Sequence, residues 1–194
     1  MDQQRFPESE EPFLDESERA AVLSLVQRAV EAYVREKRQI APALDPGFPS
    51  RTAGVFVTLS RQGQLRGCIG VPEPDRPLPE ILVHCAIAAA TEDPRFSPVR
   101  PGELAQLDYE ISLLSPLHEI RSPGEIHAGR HGLLIQSGTH RGLLLPQVAR
   151  EHGWNRDQFL DQVCRKAGLP SGAWREKGSR IWIFTAEVFG KPDS

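Results

Sequence analysis

The chain has 194 residues and a mass of 21.6 kDa, enough for one domain that buries its own core. Hydrophobic residues at 39% and charged residues at 25% exclude collagen, coiled coils and wholesale disorder. No apolar run approaches the ~20 residues that a membrane-spanning helix needs, so we expect no membrane association. The net charge of −3 and the scattered arginines argue against nucleic-acid binding.

The two ends of the chain differ in composition. Residues 1–13 combine acidic side chains with two prolines and few apolar groups, which predicts a flexible acidic tail. Residues 14–190 are expected to form a single domain. The three cysteines form no CxxC pair, and their odd number would leave at least one thiol without a disulfide partner, which indicates a reducing compartment. We therefore expect a cytoplasmic protein.

The first predicted elements are a helix and a hairpin. Asp15 and Glu18 have the spacing of a capping box, which begins a helix that runs to about Arg38. After a proline-containing loop, strand-like runs at 55–60 and 65–70 are separated by a short turn, which predicts a β-hairpin.

The remaining elements are predicted from apolar periodicity and from turn residues. They are a buried alanine-rich helix (81–91), an ordered loop (94–102), a strand (109–114), a hairpin (133–136 with 142–145), a short helix from Pro146, a capped helix from Asn155 to Gly168, and a closing strand (181–189). Antiparallel hairpins mixed with helices indicate an α+β fold, mainly antiparallel sheet with flanking helices. Patterns typical of nucleotide-binding α/β folds do not occur.

The segment Leu65-Arg66-Gly67-Cys68-Ile69-Gly70 is the most informative for chemistry. On a strand, Arg66 and Cys68 share one face, close enough for a guanidinium to favour a thiolate. Gly67 and Gly70 remove side chains, which suggests that a ligand or another backbone comes close. The segment is thus either an activated thiol in a cleft or a small packed cysteine between tightly packed glycines.

A second candidate segment follows the alanine-rich helix at Glu92-Asp93-Pro94-Arg95-Phe96. Acidic groups at a helix C-terminus oppose the macrodipole, so we expect Arg95 to compensate them. The carboxylates and Arg95 either orient a substrate or a thiol, or hold the loop with an ion pair.

Histidine spacing suggests no metal site. His127 and His131 are four apart, but Gly129 and Gly132 make a helix there improbable, and no third ligand is indicated. We expect neither a metal nor another cofactor. His131 is the candidate for a general base.

Taken in order, several segments resemble the AMMECR domain family over residues 18–189. They are the hexapeptide 65–70, Ala88-Ala89-Ala90 with the segment 92–96, the segment 110–115, Gly132-Leu133, the segment 144–149 and Lys166-Ala167-Gly168-Leu169. The resemblance implies an α+β fold with a larger lobe that holds both termini, a smaller lobe, and a cleft lined by the hexapeptide. It carries over no assigned activity and no list of catalytic residues.

Bacterial and archaeal members of that family are often called AmmeMemoRadiSam system protein A. The resemblance therefore implies two partners, a Memo-like protein related to dioxygenases and a radical SAM protein. Two functions are expected in parallel, a thiol-dependent enzyme acting on a small polar or peptide substrate, and a non-catalytic binding component for those partners. The candidate residues are Cys68, Glu92 and His131 for catalysis, and Arg66, Gly67, Gly70, Asp93 and Arg95 for substrate binding.

Overall fold

The computed structural model of the chain describes residues 13–42 and 53–190. The predicted acidic tail lies outside the described residues, apart from Phe13. The described residues form two compact units. The larger unit comprises 13–42, 53–114 and 187–190, and the smaller unit comprises 115–186. Each unit has its own hydrophobic core. The bounds of a single domain over 14–190 and the cleft stay predictions.

Helices and strands alternate irregularly along the described residues. In chain order they are α1 (Glu16–Glu36), β1 (Gly54–Arg61), β2 (Gln64–Val71), α2 (Leu78–Thr91), β3 (Leu107–Leu114), β4 (His118–Glu119), β5 (Gly132–Ser137), β6 (His140–Leu144), α3 (Pro146–Glu151), α4 (Arg156–Lys166), β7 (Arg180–Phe184) and β8 (Ala186–Phe189). Short 3-10 helices lie at Pro101–Gln106, Pro123–Glu125 and Ala173–Arg175.

The strands form two four-stranded sheets, ordered β2-β1-β3-β8 and β4-β7-β5-β6. In the first sheet β1 pairs antiparallel with both β2 and β3. In the second sheet β7 pairs antiparallel with β4 and β5, and β5 with β6. Antiparallel sheets with flanking helices confirm the predicted α+β class.

Helix α1 begins where its sequence predicts. The Asp15 side chain accepts a hydrogen bond from the Glu18 N–H while the Glu18 carboxylate accepts one from the Asp15 N–H, a complete capping box. The helix ends at Lys37, which adopts the left-handed conformation. Its apolar stripe is buried in the core of the larger unit.

Helix α2 begins three residues earlier than predicted, because Pro79 in its first turn is compatible with a helix start. Ten of its fourteen residues are buried, as the alanine-rich sequence suggests. Its small side chains allow close approach of β2, which is essential to the site described below. The C-terminal turn of α2 leads directly into the segment Glu92–Phe96.

The closing strand predicted at 181–189 is two strands, and this part of the prediction is wrong. At Thr185 the chain leaves the second sheet, where β7 lies, and continues as β8 in the first. The Thr185 N–H donates to Ser115 Oγ, and the Ser115 N–H donates to the Thr185 carbonyl. Apolar residues lie on both sides of Thr185, which is itself common in strands, so the sequence carries no sign of the break.

Candidate functional site

Gly67 allows β2 to lie directly against the backbone of α2. A Cβ atom at this position would stand 2.0 Å from the carbonyl oxygen of Ala89, a distance that no side chain can adopt. The hexapeptide strand is therefore held against the last turns of α2. Gly67 is buried on that face, as the predicted alternation requires.

Gly70 makes room for an aromatic ring. A Cβ atom on Gly70 would stand 2.3 Å from the ring of Phe56, which lies directly opposite on β1. Both glycines of the hexapeptide thus have a packing reason within the larger unit. A role for Gly67 or Gly70 in substrate binding stays a prediction.

The register of β1 and β2 changes at a β-bulge. Ser60 lies opposite Leu65, but Leu59 lies opposite Gly67, so Arg66 is an extra residue on β2. The bulge brings Cys68 opposite Thr58. Because a shift of one residue exchanges the faces of a strand, the bulge decides which way the Cys68 side chain points.

Cys68 belongs to a polar row across three strands. Thr58 lies opposite Cys68 on β2 and opposite Glu110 on β3. The Thr58 hydroxyl donates a hydrogen bond to Cys68 Sγ over 3.3 Å. The neighbouring residues of β1, Val57 and Leu59, are fully buried in the core, so the row lies on the opposite face of the sheet.

Asp93 fixes the main chain of Cys68. Its carboxylate accepts a hydrogen bond from the Cys68 N–H at 2.9 Å. The same carboxylate binds Arg95 through Nε at 2.9 Å, NH2 at 2.7 Å and the main-chain N–H at 3.1 Å. The Arg95 guanidinium holds the pKa of the Asp93 carboxyl well below its usual range. Asp93 is 4% exposed, and its role in substrate binding stays a prediction.

Arg95 is the accessible member of this ion pair. Its side chain remains 53% exposed, and its guanidinium lies 5.5 Å from the centre of the Phe96 ring. Nε and NH2 face the Asp93 carboxylate. The ion pair holds the loop after α2, while Asp93 also orients the residue that carries the thiol. It also leaves a cationic group in contact with solvent near Cys68.

Arg66 is held by partners within the larger unit. Its Nε and NH2 donate to the Glu103 carboxylate at 2.9 and 3.1 Å, and its NH1 donates to the Ser97 carbonyl. The guanidinium of Arg66 lowers the pKa of Glu103 to about 2. Arg66 was expected to favour a Cys68 thiolate, but its charge is neutralised by Glu103.

The surroundings of Cys68 disfavour the thiolate in this state. Burial raises the pKa of the Cys68 thiol above its ordinary value, and the charges of Asp93 and Glu110 act in the same direction. The Thr58 hydrogen bond and the Arg95 charge lower that pKa without cancelling the effect of burial. The arginine that favours the Cys68 thiolate is therefore Arg95.

The three thiols differ in their access to solvent. Cys68 is partly exposed, whereas Cys85 and Cys164 are buried completely. Burial raises the pKa of Cys85 to about 12 and also raises that of Cys164. The accessible thiol of the described residues is the one in the hexapeptide.

The other two predicted catalytic residues are placed differently. Glu92 is exposed, and its N–H donates to the Ala88 carbonyl at the end of α2. His131 belongs to the smaller unit, where its Nδ1 accepts a hydrogen bond from the His127 N–H and the two rings stack. Burial lowers the pKa of His131 to about 4, so its ring is neutral at pH 7. Roles in catalysis for Glu92 and His131 stay predictions.

Three residues of the site were missed by sequence reasoning. Thr58 and Glu110 come close to Cys68 through strand pairing, and the unpredicted bulge decides that pairing. Glu103 lies in a short 3-10 helix at the end of the predicted loop 94–102, where no helix was predicted. Its carboxylate accepts the Arg100 N–H, but an arginine side chain cannot complete a capping box, so no capping signal in the sequence marked this turn.

Within residues 13–42 and 53–190, no group of three or more His, Cys, Asp or Glu side chains is arranged to hold a metal ion. None of the helices in those same ranges has the length and apolar character to cross a membrane.

Comparison with known proteins places this site in a family. The family model AMMECR1 matches residues 23–189. Protein TK0174 of Thermococcus kodakarensis is 48% identical over 179 residues, which are 87% of each chain. A protein of Methanothermobacter thermautotrophicus is 42% identical over 183 residues, 91% of this chain and 95% of that protein.

A solved structure agrees with the fold. The crystal structure of the uncharacterised protein PH0010 from Pyrococcus horikoshii matches with a TM-score of 0.85 and 39% sequence identity. The match covers 90% of this chain and 92% of that one. The chain therefore belongs to the AMMECR1 family, as the order of its sequence segments indicates.

Proposed function

We propose that the protein is a thiol-dependent enzyme that acts on a small polar or peptide substrate through Cys68. The observation that carries this proposal is the position of Cys68, a partly exposed residue whose Sγ accepts a hydrogen bond from Thr58 while Asp93 holds its N–H. A nucleophilic sulfur needs both access and a fixed position. The two buried cysteines have no such access.

The charges around Cys68 assign different roles to its neighbours. Arg95 is the cation that favours the thiolate, and its exposed position suits the recognition of an anionic group on the substrate. Asp93 orients both Arg95 and the main chain of Cys68. Because burial raises the pKa of the Cys68 thiol further above neutral pH, loss of its proton accompanies substrate binding in this proposal.

Selective alkylation tests the reactivity of the thiol. Iodoacetamide is added to the native protein, and the labelled peptides are followed over time by mass spectrometry. Cys68 should be labelled ahead of Cys85 and Cys164, which should react only after unfolding. Equal or slower labelling of Cys68 would contradict the proposal.

Activity requires a separate measurement because the substrate is unidentified. The small-molecule and peptide fraction of a cell extract is incubated with the wild-type protein, with Cys68→Ser and with the control Cys164→Ala. The proposal predicts products that appear with the wild-type protein and the control but not with Cys68→Ser. Identical product profiles for all three proteins would count against it.

The raised pKa of Cys68 favours a second candidate function, a binding component without chemistry of its own. Under this proposal the protein belongs to an AmmeMemoRadiSam-type system and binds the Memo-like and radical SAM proteins that the family resemblance implies. Arg95 then supplies the contact with an acidic group of a partner, since Arg66 is bound to Glu103. The thiol is a packed side chain in this case.

Binding assays with the purified partners separate the two functions. The second candidate predicts that Cys68→Ala binds both partners as the wild-type protein does, while Arg95→Lys binds them less tightly because it loses the planar guanidinium. Failure of the wild-type protein to bind either partner would contradict it.

We further propose a cytoplasmic location, since the three cysteines are free thiols and a reducing compartment maintains that state.

A further inference from the structure

The hydroxyl of Thr58 is in direct contact with the sulfur atom of Cys68. The two residues lie opposite each other on β1 and β2, and Oγ1 donates to Sγ over 3.3 Å. We propose that Thr58 is a catalytic residue, whose hydroxyl stabilises the negative charge of the Cys68 sulfur. This inference rests on the proposed function of Cys68 as a nucleophile and adds the group that supports it.

The strand pairing makes this contact a fixed one. Thr58 lies on the central strand β1, which is paired on both sides, by β2 and by β3. Its β-branched side chain has a restricted χ1, which limits the positions that the hydroxyl can adopt. Asp93 holds the main chain on the other side of the contact through the Cys68 N–H. Donor and acceptor are thus both positioned before any substrate binds.

The charged groups nearby do not replace the hydroxyl. Arg95 acts on the sulfur through its charge, and the Asp93 carboxylate bound to it offsets part of that effect. Arg66 is bound to Glu103 and to the Ser97 carbonyl. A hydroxyl donor stabilises a thiolate through a hydrogen bond and carries no charge of its own.

The chemical step that Thr58 supports is the ionisation of the thiol. The S–H bond of Cys68 breaks, its proton passes to solvent, and the electron pair stays on sulfur. The Thr58 O–H then donates to an anionic acceptor instead of a neutral one, which strengthens the hydrogen bond. Thr58 keeps its own proton throughout, so it needs no base.

Ultraviolet titration of the thiolate tests the role of Thr58 without reference to enzyme activity. The absorbance of each protein is compared with that of the same protein carrying Cys68→Ser, so that the difference reports Cys68. Thr58→Val keeps the shape of the side chain and removes the hydroxyl, and Thr58→Ser keeps the hydroxyl. Ser60→Ala, on the same face of β1, is the matched control.

We expect Thr58→Val to raise the midpoint of the Cys68 titration by about 0.5 to 1 pH unit. Alkylation at neutral pH should slow by ~2- to 4-fold, because the thiolate fraction falls while each thiolate becomes more nucleophilic. The limiting alkylation rate at high pH should rise by no more than about threefold. Thr58→Ser and Ser60→Ala should titrate as the wild-type protein does. Circular dichroism establishes that each variant is folded.

Two outcomes would overturn the proposal. One is an unchanged midpoint in Thr58→Val, and the other is an equal shift in Ser60→Ala. A shifted titration together with unchanged product profiles in Cys68→Ser would mean that Thr58 tunes the thiol although the enzymatic function is wrong. The titration and the product profile therefore fail independently.

Discussion

Thr58 and Cys68 face each other across β1 and β2 because Arg66 forms a bulge between them and the turn. Without the extra residue, the two-residue turn at Gln62 and Gly63 would pair Thr58 with Gly67 instead. The Cys68 side chain would then point toward the helices. One inserted residue thus decides that the thiol meets a hydroxyl on the face away from the core.

Replacement of Gly67 by alanine should destabilise the protein strongly. The new Cβ atom would stand 2.0 Å from the Ala89 carbonyl oxygen, and main-chain atoms of α2 cannot move aside cheaply. We expect a loss of about 3 kcal/mol in the free energy of unfolding, measured by urea denaturation. Gly102→Ala is the control, because a Cβ there meets nothing within 4 Å. A cost for Gly67→Ala as small as that of Gly102→Ala would show that β2 and α2 are not in this contact.

Replacement of Glu110 by glutamine should make Cys68 more reactive. The negative charge of Glu110 raises the pKa of the thiol, so its removal favours the thiolate. We expect iodoacetamide to label Cys68 roughly threefold faster at neutral pH. Glu36→Gln, at the end of α1, should leave the rate unchanged. Slower labelling in Glu110→Gln would contradict the electrostatic account of the site.

The ion pair of Glu103 and Arg66 should make the free energy of unfolding depend on pH in the acidic range. The pKa of Glu103 is lowered to about 2 in the folded state, below its ordinary value of 4.5. The unfolded chain therefore binds the proton first as pH falls, and the contribution of Glu103, present above pH 4.5, is lost toward pH 2. In Glu103→Gln, the free energy of unfolding should fall by about 2 kcal/mol less over this pH range than in the wild-type protein, as measured by urea unfolding at a series of pH values. Glu31→Gln, in an exposed pair with Arg35, should show no such difference.

His131 should produce a second acid dependence at higher pH. Burial lowers its pKa from 6.5 to about 4, and the charges of His127 and Arg130 act in the same direction. The neutral ring is fully favoured above pH 6.5, and stability is lost as pH falls from there toward 4, because only the unfolded chain accepts the proton easily. In His131→Asn, the free energy of unfolding should change with pH in this range by about 2 kcal/mol less than in the wild-type protein. The exposed His84→Asn should show the same pH dependence as the wild-type protein. An equal slope in all three proteins would mean that His131 is not held neutral.

Local sequence signals predicted much of the fold. Capping boxes at Asp15 and Asn155 mark where α1 and α4 begin, since both depend on side chains within one turn. Strand alternation also placed Cys68 and Gly67 on opposite faces of β2, but it did not decide which of these faces packs against the helices. The break at Thr185 was missed, because its cause is a pair of hydrogen bonds to Ser115, which lies seventy residues earlier.

In the candidate site too, local relationships were predicted and long-range contacts were missed. Alternation along one strand put Arg66 and Cys68 together, but the partners of these side chains come from other elements. Arg66 binds Glu103, thirty-seven residues away, and the Cys68 N–H binds Asp93, twenty-five residues away. Proximity in sequence suggested that the Arg66 guanidinium would stabilise the Cys68 thiolate. In the structure, Arg66 forms an ion pair with Glu103 instead.

The amino-acid sequence alone determined the family, the α+β class and the positions of most helices and strands. These properties depend on residue order and on interactions within a few positions of the chain. Tertiary structure decided that Thr58 donates to the sulfur, that Arg95 is the nearby cation and that Arg66 is bound elsewhere. Strand register, a one-residue bulge and long-range ion pairs set those relationships, because they are formed only when distant segments pack together.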